Sequence, residues 1–508
     1  MNGLSTTLGQ LGSGFLSALT PEHLGFGILG VILGTATGVL PGLGPAVAIA
    51  LLLPMTFGLD PVSSFIMFGG IYYGAMYGGA ITSILVNTPG DSAAVVTTFD
   101  GFPMAQRGEG GKALTVAALG SCIGGTFATL MLTLTAPLLI MFALNFGPAD
   151  YFSLMILALT MVAAIAGESA LKAAFAACVG LALSMIGIDL QTGEARWTFG
   201  IPHLYNGIDV VLGGIGLFAI SEVLWVAAGG QAKGVNEYRT NNIFLSATEW
   251  AASGLAWVRG TLIGFVAGVL PGSGGTLATF LAYGVEKRFS KHPEKFGKGA
   301  IEGVAAPEAA NNAAAGGSMV PLLALGIPGS ATTAVMLAAF QLYGLQPGPL
   351  LFQNNADLVW TLIASLYIAN ILLVVLNLPL VGVWARLLKV PYSILYSAVL
   401  VFSTLGAYSL QGSLADVGIA WGLGVLAFVM RRFGFPIAPV LLALVLGPLI
   451  EQEFRRAMSI SSGDIAIFFT RPISATLLAV SLISVAGSLA SSLKSRKRAA
   501  PVGEVKQI

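Results

Sequence analysis

The chain has 508 residues, of which 56% are hydrophobic and only 9% are charged. A soluble domain carries about 25% charged residues, so 24 basic and 23 acidic groups are too few to cover a water-soluble protein of this length. A net charge of +1 argues against a nucleic-acid-binding protein, and the apolar content excludes a disordered chain. The 66 glycines and the long apolar runs are typical of an all-α polytopic membrane protein, because glycine lets buried helices approach closely.

The apolar segments predict about 10–13 transmembrane segments, since a helix needs about 20 apolar residues to cross a bilayer. We divide the chain into five parts from these segments and the polar stretches between them. The parts are an N-terminal segment at 1–23, a first half at 24–229, a connecting loop at 230–256, a second half at 257–494 and a cytoplasmic tail at 495–508.

Two motifs occur once in each half and in the same order. Residues 38–44 read GVLPGLG and residues 268–274 read GVLPGSG, each inside an apolar run. Residues 88–93 then read TPGDSA, and residues 327–331 read IPGSA. The repetition predicts an internal duplication with four Pro-Gly breaks in two related pairs.

The charge distribution predicts that the two halves are inverted in the membrane. Cytoplasmic loops are enriched in Lys and Arg. The loop 286–298 after the second GVLPG motif is densely basic, whereas the matching loop 55–61 has no basic residue. Basic residues follow the first TPG motif from Arg107 onward, whereas the loop 344–356 after the second motif has none. Inverted repeats of this kind occur in many secondary transporters.

The segment 24–56 is too long for one straight span, because its length as a helix would be about 50 Å against a hydrocarbon core of about 30 Å. Broken at Pro41-Gly42, it gives two arms that we expect to be too short to cross. A re-entrant hairpin with its tip at the Pro-Gly pair fits better, and 257–286 predicts a second hairpin between two basic loops. A tilted and kinked single span is the alternative.

Pro-Gly breaks inside a bilayer are tolerated where the backbone is buried in protein or lines a water-filled cavity. They leave helix N-termini whose free N–H groups favour an anion, although any single break could be a packing kink. We therefore predict substrate binding by the residues of two tips and two breaks. They are Pro41, Gly42, Leu43, Gly44, Gly272, Ser273, Gly274 and Gly275 at the tips, and Asn87, Thr88, Gly90, Ser92, Gly329, Ser330 and Thr332 at the breaks.

A coupling cation is expected beside the anion. Asp91 stands at a helix N-terminus, where it is either an N-cap or a group that binds Na⁺ or carries a proton. Asn311 and Asn312 lie in an Ala/Gly-rich run and are costly there unless they face a polar cavity or another helix. The predicted coupling-ion residues are Asp91, Asn87, Asn311 and Asn312, with no cofactor and no metal beyond Na⁺.

Motifs for ATP hydrolysis and for common hydrolases are absent, since the chain has no GxxxxGK[ST], HExxH or GxSxG. A transporter would therefore depend on an ion gradient. An intramembrane enzyme would need Asp91 beside Glu302 or Glu308, and nothing in the sequence brings these carboxylates together. We expect no enzyme; a channel remains the main rival, and a scaffold would leave the duplicated breaks unexplained.

Four runs carry a family resemblance: GTATGVLPGLGPAVAIALLLP, YGGAITSILVNTPGDSAAVVTTFDG, GVLPGSGGTLATFLAYGVEK and GSMVPLLALGIPGSATTAVMLAAFQLYGLQPGP. They resemble the large membrane subunit of the tripartite tricarboxylate transporter family (TctA-like). The resemblance implies a multi-pass protein of the bacterial inner membrane that imports citrate or other organic acids by symport with Na⁺ or H⁺. It implies a periplasmic substrate-binding protein and a small membrane subunit as partners, and leaves a homodimer open.

The order of hairpin and broken helix is also similar to that of elevator-type carriers, which is an analogy of fold. The alternative function is a carboxylate-selective channel or a stand-alone transporter of another organic anion.

Overall fold

The computed structural model describes residues 2–40, 42–165, 169–189, 191–229, 243–272, 274–387 and 390–498. Two predicted tip residues, Pro41 and Ser273, lie outside the described residues. The same is true of 230–242 in the expected connecting loop and of 499–508 in the expected tail.

The first half of the chain consists of helices and one small pair of strands. The helices are α1 (Asn2–Ala18), α2 (Pro21–Val39), α3 (Pro45–Leu52), α4 (Pro61–Val86), α5 (Val95–Gln106), α6 (Gly110–Ala143), α7 (Pro148–Ile165), α8 (Ala170–Ser184), α9 (Val210–Gly214) and α10 (Ser221–Ala227). The strands β1 (Gly187–Ile188) and β2 (Ala195–Arg196) pair antiparallel. A π-helical segment, Ile215–Ile220, joins α9 to α10, and 3₁₀ turns cover Leu53–Thr56 and Pro202–Asn206.

The regular secondary structure in the described part of the second half consists of helices. Its helices are α11 (Ala247–Val269), α12 (Gly274–Phe289), α13 (Glu302–Leu325), α14 (Ala331–Leu342), α15 (Pro349–Asn354), α16 (Ala356–Asn377), α17 (Val381–Leu387), α18 (Tyr392–Gln411), α19 (Leu414–Arg432), α20 (Ala438–Ile460), α21 (Ile467–Thr470) and α22 (Pro472–Arg498). A 3₁₀ turn at Pro293–Lys295 lies between α12 and α13.

Seven helices in the described part are long and apolar enough to cross a membrane: Pro21–Val39, Gly110–Ala143, Val210–Ala227, Ala247–Val269, Ala356–Asn377, Ser393–Gln411 and Leu414–Arg432. The chain is therefore an all-α, multi-pass membrane protein.

The first arms of the two predicted hairpins are longer than expected. Helices α2 and α11 have 19 and 23 residues, so the prediction that both arms of the first hairpin are too short to cross is wrong for α2. Each helix begins with polar residues that precede the apolar run, and each is capped at its start, by Thr20 and by Ser246. The second arms are shorter, with 8 residues in α3 and 16 in α12.

Rows of glycines bring the first arms into backbone contact with α4 and α13. A Cβ at any of these glycines would overlap a carbonyl oxygen of the neighbouring helix. The pairs are Gly30 with Met67, Gly34 with Ile71 and Gly38 with Ala75 in the first half, and Gly260 with Ala306, Gly264 with Ala310 and Gly268 with Ala314 in the second. The two halves thus contain helix pairs with the same glycine spacing.

Helices α4 and α13 are the buried centre of the protein. Every residue from Ser63 to Leu85 in α4 and from Gly303 to Ala324 in α13 is buried. Each of these helices runs directly into one of the Pro-Gly breaks.

The helix after each break holds a loop of the other half. In α5, the Asp100 carboxylate accepts hydrogen bonds from the N–H groups of Gly297, Gly299 and Ala300, at 2.7–2.9 Å. At the end of α14, the Tyr343 hydroxyl donates to the carbonyl oxygen of Thr56 at 2.7 Å. Each half thus binds the loop that follows the hairpin of the other half. We call these the exchanged loop contacts.

We expect Gly264→Ala to destabilise the protein by about 1–3 kcal/mol, because overpacking a close helix contact forces the helices apart. Gly254→Ala on the same helix is the control, since no atom lies within 4 Å of its added Cβ. That change should leave stability equal or raise it by up to about 1 kcal/mol through helix propensity. Thermal unfolding in detergent compares the two variants, and equal melting temperatures would contradict the contact.

The strand pair is stabilised by Asp189. Its carboxylate accepts hydrogen bonds from the N–H groups of Gln191 and Thr192, at 2.8 and 3.1 Å, and pairs with Arg455 at 2.7 Å. The backbone hydrogen bonds, and to a smaller extent the contact with Arg455, lower the pKa of Asp189 from 3.8 to about 2. The ionised form is therefore favoured by the folded hairpin.

Because this pKa is lowered on folding, the stabilisation is complete above about pH 4 and is lost as the pH falls through about 2. We expect amide exchange in β1 and β2, corrected for intrinsic rates, to lose protection across that window. Asp189→Asn should abolish the pH-dependent step. A step of the same size in both proteins would show that another group causes it.

Candidate functional site

Each hairpin tip is hydrogen-bonded to the break of its own half. The N–H of Gly42 donates to the carbonyl oxygen of Gly90 at 3.2 Å, and the N–H of Gly272 donates to that of Gly329 at 2.9 Å. Both donors have positive φ, 82° and 78°, a conformation that favours glycine. The two halves therefore form the same arrangement, a hairpin tip hydrogen-bonded to the helix break that follows it, which we call a tip–break unit.

The two breaks also start in the same way. Helix α4 ends at Asn87 and α13 ends at Gly326, both in the left-handed conformation. Asparagine is one of the few residues other than glycine that adopts it readily. The exposed Asn87 is thus the C-cap of α4 at the entrance to the first break.

After the Pro-Gly pair, Asp91 and Ser330 occupy equivalent positions. The Asp91 carboxylate accepts a hydrogen bond from the N–H of Ala94 at 2.9 Å. Ser330 and Thr333 form a reciprocal capping box at the start of α14. Asp91 therefore makes a local hydrogen bond ahead of α5, but it is not the N-cap of that helix, which is Ala94. Asp91 also lies against the first tip, where a Cβ on Gly44 would be 3.5 Å from the Asp91 Cβ.

Side chains join each break to the other half. The hydroxyls of Ser92 and Thr276 are 2.8 Å apart. The Tyr72 hydroxyl lies 3.0 Å from that of Ser318 and 3.5 Å from that of Ser330. The two tip–break units therefore meet at one place.

The second tip reaches this place through Gly275. A Cβ on Gly275 would lie 2.7 Å from the Asn311 side-chain oxygen and 3.0 Å from the Ala93 side chain. We call the polar residues that meet here the central polar cluster: Tyr72, Asp91, Ser92, Thr276, Asn311, Ser318 and Ser330. In the part of the chain that the structure describes, no Lys, Arg or His forms an ion pair with Asp91.

The two adjacent asparagines face different surroundings. Asn311 is 0% exposed, and neither its oxygen nor its nitrogen has a hydrogen-bond partner among the described residues. The amide nitrogen of Asn312 donates to the Ser121 hydroxyl at 2.7 Å and to the Glu308 carbonyl oxygen at 3.3 Å. Asn311 therefore belongs to the central polar cluster, whereas Asn312 faces α6.

Other predicted site residues have surroundings outside the central polar cluster. Leu43 packs with Val47, Ala219 and Val223 in an apolar cluster. Gly42 adjoins Glu222, which forms an ion pair with Arg431. Thr88 is half-buried and Thr332 is buried. A Cβ on Gly274 would have no atom within 4 Å. The carbonyl oxygens of Gly90 and Gly329 accept the hydrogen bonds from the tips.

Sequence reasoning missed Tyr72, Thr276 and Ser318. Tyr72 sits in a continuous apolar run with no motif around it. When the two halves are aligned on their breaks, however, Tyr72 matches Asn311. Aligning the halves would therefore have indicated Tyr72, because its counterpart Asn311 is a predicted site residue.

Comparisons with known proteins identify the family of the chain. The family model of the tripartite tricarboxylate transporter TctA family matches residues 24–442. The chain is 46% identical over 490 residues to a protein of Agrobacterium vitis described as an uncharacterized 52.8 kDa protein in the TAR-I ttuC′ 3′ region, covering 96% of this chain and 98% of the relative. A second Agrobacterium vitis protein, described as an uncharacterized protein in the TAR-II ttuC′ 3′ region, is 48% identical over 234 residues, 46% of this chain and 97% of the relative.

No solved structure matches the chain. The family model nevertheless covers most of the sequence, and the first of these relatives matches almost from end to end. The protein belongs to the TctA family of tripartite tricarboxylate transporters, and is a membrane subunit of a transporter rather than an enzyme.

Proposed function

We propose that this protein is the large permease subunit that imports tricarboxylates or related organic acids across the bacterial inner membrane, driven by a Na⁺ or H⁺ gradient. A periplasmic substrate-binding protein delivers the anion, and a small membrane subunit completes the assembly. Membership of the TctA family supports the substrate class and these partners. The observation that carries the proposed site is the meeting of both tip–break units at the central polar cluster.

The exchanged loop contacts support inverted repeats. Arg107, after α5, donates to the carbonyl oxygens of Lys298 and Gly299 at 2.6 and 2.7 Å. The end of α5 therefore lies beside the basic loop of the second hairpin, on the face that the charge rule assigns to the cytoplasm. Tyr343 joins the end of α14 to the uncharged loop of the first hairpin, on the opposite face. The two hairpins then enter the membrane from opposite sides.

The anion binds to neutral donors. Hydroxyl groups of Ser92, Thr276 and Ser330 lie at the start of α5, α12 and α14, where the N-terminal ends of the helices favour negative charge. The tip and break glycines allow the backbone to approach the carboxylates closely. This arrangement resembles the half-helix sites of other secondary transporters.

Asp91 makes anion binding depend on a cation. Asp91 lies against the first tip, and its negative charge would repel a carboxylate substrate there. Neutralising Asp91 with a proton or Na⁺ removes that repulsion, and Asn311 offers an unpartnered oxygen on the other side of the cluster. The two tip–break units then move together past the outer helices, as in an elevator, and expose the site to each side in turn.

The test is uptake into proteoliposomes that contain the full chain and its small membrane subunit, with the periplasmic binding protein added outside. Labelled citrate and other organic acids serve as substrates. We expect saturable, uphill uptake that stops when the cation gradient is collapsed and when the binding protein is omitted. Flux that never saturates and only runs downhill would show a channel instead.

Tyr72→Phe should weaken the apparent affinity for substrate by about 3–10-fold, the worth of one hydrogen bond of about 1 kcal/mol. The change removes the hydroxyl that contacts Ser318 and Ser330 and keeps the ring. Tyr73→Phe is the matched control, because its hydroxyl contacts Thr129, away from the cluster. Initial uptake rates at varied substrate concentration give both affinities; equal changes in the two variants would contradict the placement of the site.

A further inference from the structure

A carboxylate outside the central polar cluster is buried among the central helices. Glu308 lies on α13 and is 0% exposed. It accepts a hydrogen bond from the Thr97 hydroxyl, and the Ser121 hydroxyl lies 3.5 Å from its other oxygen. Within the described residues, no Lys, Arg or His lies within ion-pair distance of it. An ionised carboxylate without a counter-charge is strongly disfavoured in such surroundings, so Glu308 is neutral in this conformation.

The ionisable groups around Glu308 supply no positive charge to it. Tyr77 of α4 and Asp91 of the first break are the ionisable groups that interact with it electrostatically. The other charged or titratable groups on the helices packed against α13 have different partners or neighbours. They are Lys112 with Glu249, Arg259 with Glu286, Asp100 with Tyr283, Cys122 near Tyr77, Tyr72 with Ser318, and Tyr73 with Thr129. Lys287 and Arg288, in the last turn of α12, are exposed.

Glu308 is mechanically connected to the first break. Thr97 lies in the first turn of α5, which begins directly after the break, and Asp91 is bonded to Ala94 just before that turn. Ser121, the second hydroxyl, lies on α6 and also accepts from Asn312. A movement of the break therefore shifts one hydroxyl partner of Glu308 relative to the other.

The acid is present in one half only. When the halves are aligned on their breaks, the position of Glu308 is occupied by Gly69 in α4. The helix-packing frame that the halves share therefore does not require an acid here. A buried, unpaired carboxylate that the packing does not need is a candidate for function.

We infer that Glu308 is the proton-carrying group of the transport cycle, which makes H⁺ the coupling ion. In the described conformation its carboxyl group holds the proton. When the first break moves and water reaches the carboxyl group, the O–H bond breaks, the proton passes to water on the side of the basic loop, and the carboxylate remains. Glu308 lies near the α13 end that adjoins this loop, so the cytoplasm receives the proton. This inference rests on the proposed function and adds the identity of the cation and its carrier.

Glu308→Gln in the complete transporter tests it, because the amide keeps the shape of the side chain and cannot release a proton. We expect loss of uphill uptake driven by a pH gradient, while exchange of substrate across the membrane, which needs no net proton movement, persists. Proton uptake on addition of substrate, followed with a pH dye, should fall in this variant, because Asp91 still takes up a proton and Glu308 does not. Glu302→Gln, in the first turn of the same helix, is the matched control and should change none of these readouts.

Glu308→Asp keeps an acid at this position and should restore uptake driven by a pH gradient, with a shifted pH profile. Gradient-driven accumulation by Glu308→Gln would overturn the inference, as would loss of exchange in a folded Glu308→Gln protein. Wild-type uptake that follows a Na⁺ gradient and ignores pH would overturn the inference and leave the proposed function intact. A wild-type protein that neither exchanges nor accumulates any organic acid would overturn both.

Discussion

A broken helix in a membrane must find partners for the backbone groups that the break exposes, since the lipid offers none. Here the N–H of each hairpin tip is paired with the carbonyl oxygen of a helix break, from Gly42 to Gly90 and from Gly272 to Gly329. The rest of the structure follows from this pairing. It requires the first arm of each hairpin to lie directly against the helix that ends in the break, and the glycine rows on α2 and α11 make that approach possible.

The shared backbone carries different side chains in its two copies. Asp91 is matched by Ser330, Tyr72 by Asn311 and Gly69 by Glu308. Tyr72 finds two hydroxyl partners across the cluster, whereas Asn311 finds none among the described residues. The two halves thus share the tip–break geometry, and the chemistry proposed for the anion and the cation depends on the positions where their side chains differ.

The sequence alone predicted the helical membrane class, the four breaks and their grouping into two pairs, because Pro-Gly in an apolar run has a direct effect on the backbone. It placed the start of the first arms wrongly, since polar first turns such as the one after Ser246 do not register in an apolar pattern. The contacts of Tyr72 with Ser318 and of Ser92 with Thr276 were out of reach as well. They join residues far apart in the chain, and a single hydroxyl-bearing residue gives no sequence pattern from which its hydrogen-bond partner can be predicted.

The exchanged loop contacts have a consequence for assembly. Asp100 is made early in synthesis, but its partners Gly297, Gly299 and Ala300 come from the second half. Until that half is inserted, the carboxylate has none of these bonds and the basic loop has no anchor. The first half therefore cannot complete these contacts on its own, and the bonds of Asp100 form only after the second half is inserted. Damage to either loop should then appear first as a defect in biogenesis.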